Sequence, residues 1–208
     1  MKNLLRRDRY TKSKTINTIS SSKQDMIITL AGRLGSGKST VGNKIAEIYH
    51  LKKYSTGDFM REMAKERGVS LLELSKMAET DKSIDKELDD RQVKFGQVQD
   101  NFIIDARLGW YFIPQSIKIF LDVSYEEAAR RIYTDKVSDR SAESGNDSIE
   151  QTLHNIKTRE TSERKRYKEY YGLDYMDLKN YDLVVDTTGI TLEEVIRRIK
   201  AYVDKHKK

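Results

Sequence analysis

The chain has 208 residues, 37% of them hydrophobic and 35% charged, enough for one domain with its own core. No run of about 18 apolar residues occurs, which excludes a membrane-spanning helix, and the absence of cysteine excludes a disulfide scaffold, Cys-ligated zinc or iron–sulfur sites and thiol catalysis. The net charge is +6, but residues 1–25 hold seven Lys/Arg against two Asp/Glu, so the excess lies in an N-terminal arm and the remainder is nearly neutral.

That arm has no sustained period and is rich in Lys, Arg, Ser and Thr, so residues 1–25 read as a disordered basic arm. It lacks the apolar run of a secretory signal. Residues 26–31 (MIITLA) form a short apolar, β-branched run that reads as a buried parallel strand. A Gly-rich turn and a helix over 39–49 follow. Three more such strands are expected at 101–105, 117–121 and 182–186. Helical patterns fill the intervals: 58–66, 71–79, 82–94, 125–134, 147–169 and 192–205. Strands alternating with helices predict an α/β fold with a mainly parallel sheet over residues 26–208.

The turn after the first strand reads GRLGSGKST. Gly32, Gly37, Lys38 and Ser39 satisfy the phosphate-binding pattern G-x-x-x-x-G-K-[ST], with an apolar strand before it and a helix after it. Gly32, Arg33, Leu34, Gly35, Ser36, Gly37, Lys38, Ser39 and Thr40 would wrap a donor nucleotide's phosphates. The open helix N-terminus adds free N–H groups and a positive dipole end. Lys38 can reach the β- and γ-phosphates and the Ser39 hydroxyl can ligate Mg²⁺. Asp186-Thr187-Thr188-Gly189 imitates a GTPase switch, but it sits at the last strand and no Asn-Lys-x-Asp follows it.

Phosphoryl transfer also needs cations where charge accumulates. Thr56-Gly57-Asp58 precedes a helix that carries Arg61. Arg107 follows the strand ending in Asp105, at the carboxyl edge where open α/β sheets bind ligands. Arg130 and Arg131 lie on the next helix, and Arg140 lies in the polar stretch 136–147. Arg159, Glu163 and Arg166 fall at i, i+4 and i+7, on one helical face. That face could grip phosphate while Glu163 orients the arginines or meets a ribose hydroxyl. Asp105 reads equally as a ligand of Mg²⁺-bound water or as a partner for a neighbouring arginine. Trp110, Tyr111 and Phe112 could stack on a base, but aromatics so placed are more often core, and core is the preferred reading.

In this order, GRLGSGKST, STGDFMREMAKERGVSLLELSKMAE, IDKELDDRQ, DARLGW, ARRI, RETSERKRYKEYYGLD and YDLVVDTT resemble the nucleoside monophosphate kinases, most closely the archaeal-type cytidylate kinases. The resemblance covers about residues 26–200. It implies a three-layer α/β/α P-loop fold with a five-stranded sheet, a small acceptor lobe near 56–95 and a lid near 132–166. It implies ATP as donor with Mg²⁺, and phosphorylation of CMP or dCMP. Lys38, Arg107, Arg159 and Arg166 would carry catalysis. Ser55, Gly57, Arg61, Arg107 and Glu163 would bind the acceptor, Arg131 the donor, and Ser39 and Asp105 the metal. Leu108 replaces an Asp of the bacterial relatives, and Asp105-Ala106 replaces their Glu-Gly.

The acceptor phosphate is largely ionised at pH 7, so no general base is required. The partners implied are small nucleotides, with no membrane and with nucleic acid only through the basic arm. A cytoplasmic monomer is expected. The alternatives are a P-loop kinase for another acceptor, such as AMP or dephospho-coenzyme A, and a degenerate kinase fold that binds nucleotide and associates with RNA.

Overall fold

A computed structural model describes residues 26–78, 80–134 and 148–206. The basic arm 1–25 and the middle of the expected lid, 135–147 with Arg140, lie outside the described residues. Five strands form one parallel sheet in the order β2-β3-β1-β4-β5. They are β1 (Ile27–Gly32), β2 (Lys52–Ser55), β3 (Phe102–Asp105), β4 (Ile117–Asp122) and β5 (Leu183–Asp186). β1 is central, with Ile27 opposite Phe102 of β3 and Ile28 opposite Ile117 of β4.

Alternation along the strands separates two cores. Ile28 and Leu30 face α1 (Lys38–Tyr49) and α8 (Leu192–His206), where Val41, Ile45, Val195, Ile199 and Val203 close the layer. Ile27 and Ala31 point the other way. There, Phe102, Ile104 and Phe120 are covered by α2 (Thr56–Glu66), α4 (Lys82–Val98), α5 (Gly109–Phe112) and the segment around Tyr175 and Tyr181. The fold is therefore the three-layer α/β/α arrangement that the resemblance implied. No described helix is long and apolar enough to cross a membrane.

α2, α4 and α3 (Leu71–Ala78) enclose a separate small core of Met63, Ala64, Leu74 and Ile84. On the opposite side, α6 (Tyr125–Thr134) packs on α7 (Ile149–Tyr171) through Val123, Ala128, Ala129 and Ile156. α7 begins with Ser148 as N-cap, whose side chain accepts from the Gln151 N–H, and stops at Gly172 in a left-handed conformation.

Sequence reading located four strands. The fifth, β2, is only Lys-Lys-Tyr-Ser on the sheet edge and has no apolar run to mark it. The single-turn α5 was also not anticipated, and α7 runs two residues later than the pattern suggested. Trp110 is partly buried beside Tyr181, Phe112 packs on the second core, and Tyr111 is exposed rather than core.

Candidate active site

The cradle starts where β1 ends. Gly32 has φ +148°, and a Cβ there would lie 2.2 Å from the Leu121 carbonyl oxygen of β4, so only glycine lets the chain leave the sheet here. Gly37, at φ +84°, is the N-cap of α1. Ser36 folds its hydroxyl back onto the Arg33 carbonyl at 2.8 Å. Lys38 is buried, and its ammonium donates to the carbonyls of Gly32 (3.0 Å) and Arg33 (2.8 Å). Ser39 and Thr40 follow in the first turn of α1, where backbone N–H groups have no helical acceptor.

The Arg33 side chain turns away from the cradle. It donates to Glu160 Oε2 of α7 (3.1 Å) and to the Val123 carbonyl (3.0 Å), and it stacks over the Tyr125 ring at 4.3 Å. The Tyr125 hydroxyl donates to the other Glu160 oxygen at 2.6 Å. Arg131 braces the back of the loop. It donates to the Gly35 carbonyl (3.4 Å) and to the Thr187 hydroxyl (3.0 Å) and carbonyl (2.7 Å), while Glu127 holds its Nε at 2.7 Å.

Beyond Lys38 opens a cleft of about 810 Å³. Leu34, Lys38, Asp105, Arg107, Arg159, Glu163 and Arg166 all line it. The Arg107 guanidinium makes a two-point contact with the Glu163 carboxylate, through Nε to Oε2 and through Nη2 to Oε1 at 3.1 Å. Glu163 also accepts from Arg159 Nε at 3.1 Å and from the Tyr175 hydroxyl at 3.3 Å. Burial acts to raise the Glu163 carboxyl, but Arg107 and then Arg159 outweigh it and hold the group below the usual carboxylate range. Burial likewise works against the Arg107 charge, and Glu163 more than restores it. The neighbours that departed from the bacterial pattern, Ala106 and Leu108, are both buried in the core.

The cleft continues past the arginines into a second hollow of about 340 Å³ between α4 and α7. Arg107, Arg159 and Arg166 line both spaces. α4 contributes Asp85, Asp89 and Gln92, and α7 contributes Tyr171, whose hydroxyl donates to Asp89 Oδ2 at 2.5 Å. Burial pushes the Asp89 carboxyl up to about 6 against the pull of that hydroxyl, and burial raises Asp85 too, with Arg166 opposing.

Three expected acceptor residues lie elsewhere. The Ser55 hydroxyl caps α2 by accepting from the Asp58 N–H. Arg61 is exposed and paired with Asp58, on an outer hollow lined by Tyr54, Phe59 and Phe95 rather than in the cleft. Gly57 lies beside it: a Cβ there would stand 3.4 Å from an Arg61 nitrogen. The structure thus joins Lys38, Asp105, Arg107, Arg159, Glu163 and Arg166, and leaves Ser55, Gly57 and Arg61 off the cleft lining.

The cytidylate kinase-like family profile matches residues 27–189. The chain belongs to this family. Relatives named cytidylate kinase agree over nearly the whole domain. The protein from Methanocaldococcus jannaschii is 39% identical over 88% of this chain and its own entire length. The protein from Pyrococcus horikoshii is 39% identical over 88% of this chain and 90% of its own. Among solved structures, shikimate kinase from Bacteroides thetaiotaomicron shares the fold at a TM-score of 0.61 with 12% identity, over 86% of this chain and 98% of that one. Membership of the cytidylate kinase-like family makes the chain a phosphotransferase.

Sequence reading of this family member missed Glu160, Tyr125, Asp85, Asp89, Gln92 and Tyr171. Glu160 did carry a signal, since it abuts Arg159 in the charged run of α7, but one residue around the helix it faces the cradle instead of the cleft.

Proposed function

We propose that the protein transfers the γ-phosphoryl group of ATP to CMP or dCMP, giving ADP and the nucleoside diphosphate. An oxygen of the acceptor phosphate bonds to the γ-phosphorus, and the bond to the β–γ bridging oxygen breaks, with both electrons leaving on ADP. The observation that carries this reading is the Arg107–Glu163 contact in the same cleft as Lys38. Lys38 and the arginines then supply several cations to one space where two phosphates can meet. The shared name of the curated relatives supports cytosine as the base.

Lys38 meets the donor phosphates, and Arg107, Arg159 and Arg166 meet the acceptor phosphate and the charge that develops between the two. Glu163 fixes Arg107 and Arg159 before the substrate arrives, so little reorganisation remains at the moment of transfer. The donor set suits Mg²⁺, which takes one or two protein oxygens beside substrate phosphates. Ser39 stands next to Lys38, and the Asp105 carboxylate lines the same cleft. When bound, the ion would offset charge on the donor phosphates. Among the described residues no group of three His, Asp or Glu forms a metal cage.

In this reading α2, α3 and α4 are the acceptor lobe, about 56–95, and residues 132–166 are the lid. Arg61 then joins the acceptor phosphate only when α2 carries it inward. The test is ADP release from the purified protein with ATP and Mg²⁺ against each NMP and dNMP. Turnover dependent on CMP or dCMP is expected. ADP release that no acceptor stimulates would overturn the reading.

A further inference from the structure

Phosphate chemistry makes no use of the far wall of the second hollow. Asp85, Asp89 and Gln92 recur at i, i+4 and i+7, so they share one face of α4, and all three line the hollow. Gln92 is only 3% exposed, yet its Nε2 makes a single long bond, 3.5 Å to the Leu88 carbonyl of its own helix. Its Oε1 accepts from no described residue. Asp85 has no hydrogen-bond donor among the described residues; the Arg166 charge faces it, and so does the Asp89 carboxyl. Asp89 gives one oxygen to Tyr171 and keeps the other. Buried amides and carboxylates are normally satisfied, and leaving them unpaired is destabilising. Gln92 is buried and Asp85 and Asp89 are partly buried; three polar groups with hydrogen-bonding capacity to spare, lining one cavity that shares its arginines with the phosphate cleft, point to a polar ligand.

The shape and polarity of the wall define that ligand. Phe112 and Tyr171 supply flat apolar surface. An ionised carboxylate only accepts hydrogen bonds, whereas an amide also donates. We propose that Asp85, Asp89 and Gln92 read the base of the acceptor nucleotide and select cytosine over uracil. This rests on the reading that Arg107 holds the acceptor phosphate, since the hollow begins at that arginine. The exocyclic amine of cytosine offers donors to a carboxylate, a pairing that carboxylates also make with cytosine in DNA recognition. The Gln92 amide donates to the adjacent ring nitrogen or carbonyl. Uracil puts an oxygen where the amine stood and an N–H where the lone pair stood. The Gln92 amide can turn its oxygen to that N–H, but a carboxylate cannot donate to the uracil oxygen, and a site built to hydrogen-bond one pattern rejects the other strongly.

The test compares kcat/KM for CMP and UMP, with ATP and Mg²⁺, in the full chain and in Asp85→Asn and Asp89→Asn. An amide can donate to the uracil oxygen, so the expected result is at least a tenfold fall in the CMP/UMP ratio, with a gain for UMP in at least one variant. General loosening of the fold would lower both substrates together and leave the ratio alone. Should Asp89→Asn fail to fold because of the Tyr171 contact, Asp85→Asn carries the same test. A wild type that prefers CMP, with folded variants that keep its ratio within twofold, overturns this inference alone. A wild type that phosphorylates no pyrimidine monophosphate overturns the functional reading and this inference with it.

Discussion

Arg107 and Glu163 close on each other through two side-by-side hydrogen bonds that join the end of β3 to the middle of α7. Their side chains are only 16% and 13% exposed. Removing one partner therefore strands the other charge in a poorly solvated place. Glu163→Ala should lower unfolding free energy by about 2–4 kcal/mol at pH 7 and reduce turnover severely. Glu163 is held below the usual carboxylate range in the fold. Its contribution is then present above the unfolded value, about 4.3, and is lost as pH falls through the lower folded value. Urea melts of wild type and variant should differ at pH 7 and converge in acid below that window.

Lys38→Ala should abolish acceptor-dependent ADP release, a loss of at least about 10³-fold, because it removes the cation from the donor side of the cleft. The ammonium donates to the backbone carbonyls of Gly32 and Arg33 within its own loop, so the variant should fold with an unchanged circular dichroism spectrum. Near-normal turnover would place the donor elsewhere.

Asp89 has its folded pKa raised to about 6 by burial. A carboxyl raised on folding binds its proton more readily in the folded state, so stability falls as pH rises between the unfolded value, about 3.9, and the folded one. Asp89→Asn should thus be more stable than wild type at pH 7.5, by about 1 kcal/mol once partial solvent screening is allowed for. The advantage should vanish below about pH 4, where both chains are neutral at this position. Thermal melts across that range provide the check. A gain in stability together with the loss of base discrimination would mark the group as held for function.

Glu160 ties α7 to the cradle through Arg33 and Tyr125. Glu160→Gln should leave KM for ATP within about twofold and lower kcat roughly tenfold, because small misplacements of reacting groups are expensive in rate. Arg33→Met should do the same, and the double variant should be little worse than either single one, as coupled neighbours are not additive. A variant that melts earlier but turns over normally would reduce the contact to a structural brace.

The parts that sequence reading captured are those whose chemistry is contiguous. The cradle occupies nine neighbouring residues between an apolar strand and a helix, and β1, β3, β4 and β5 are marked by apolar runs. Arg159, Glu163 and Arg166 were legible because helical spacing alone puts them on one face. The rest depended on what packs where. The α4 sequence IDKELDDRQ looks like a solvated, charge-laced helix, and only α7 lying across it makes Asp85, Asp89 and Gln92 a cavity wall. Arg61 sits at the expected helical position, but Asp58, three residues before it, draws its side chain to the outer surface. β2 carries two lysines in four residues, and its strand character comes from pairing with β3, not from its own pattern.

The placement of β1 has a consequence for how the chain is made. β1 is the centre of the sheet, yet its neighbours β3 and β4 begin at Phe102 and Ile117. During synthesis β1, the strand buried along its whole length, and the cradle that follows it are made before the other strands and wait for about a third of the chain before either flank can be covered. Parallel pairing at such separation is slow, and an exposed strand invites association with other nascent chains. The segment that defines the enzyme is therefore also the one most in need of shielding while the protein is being born.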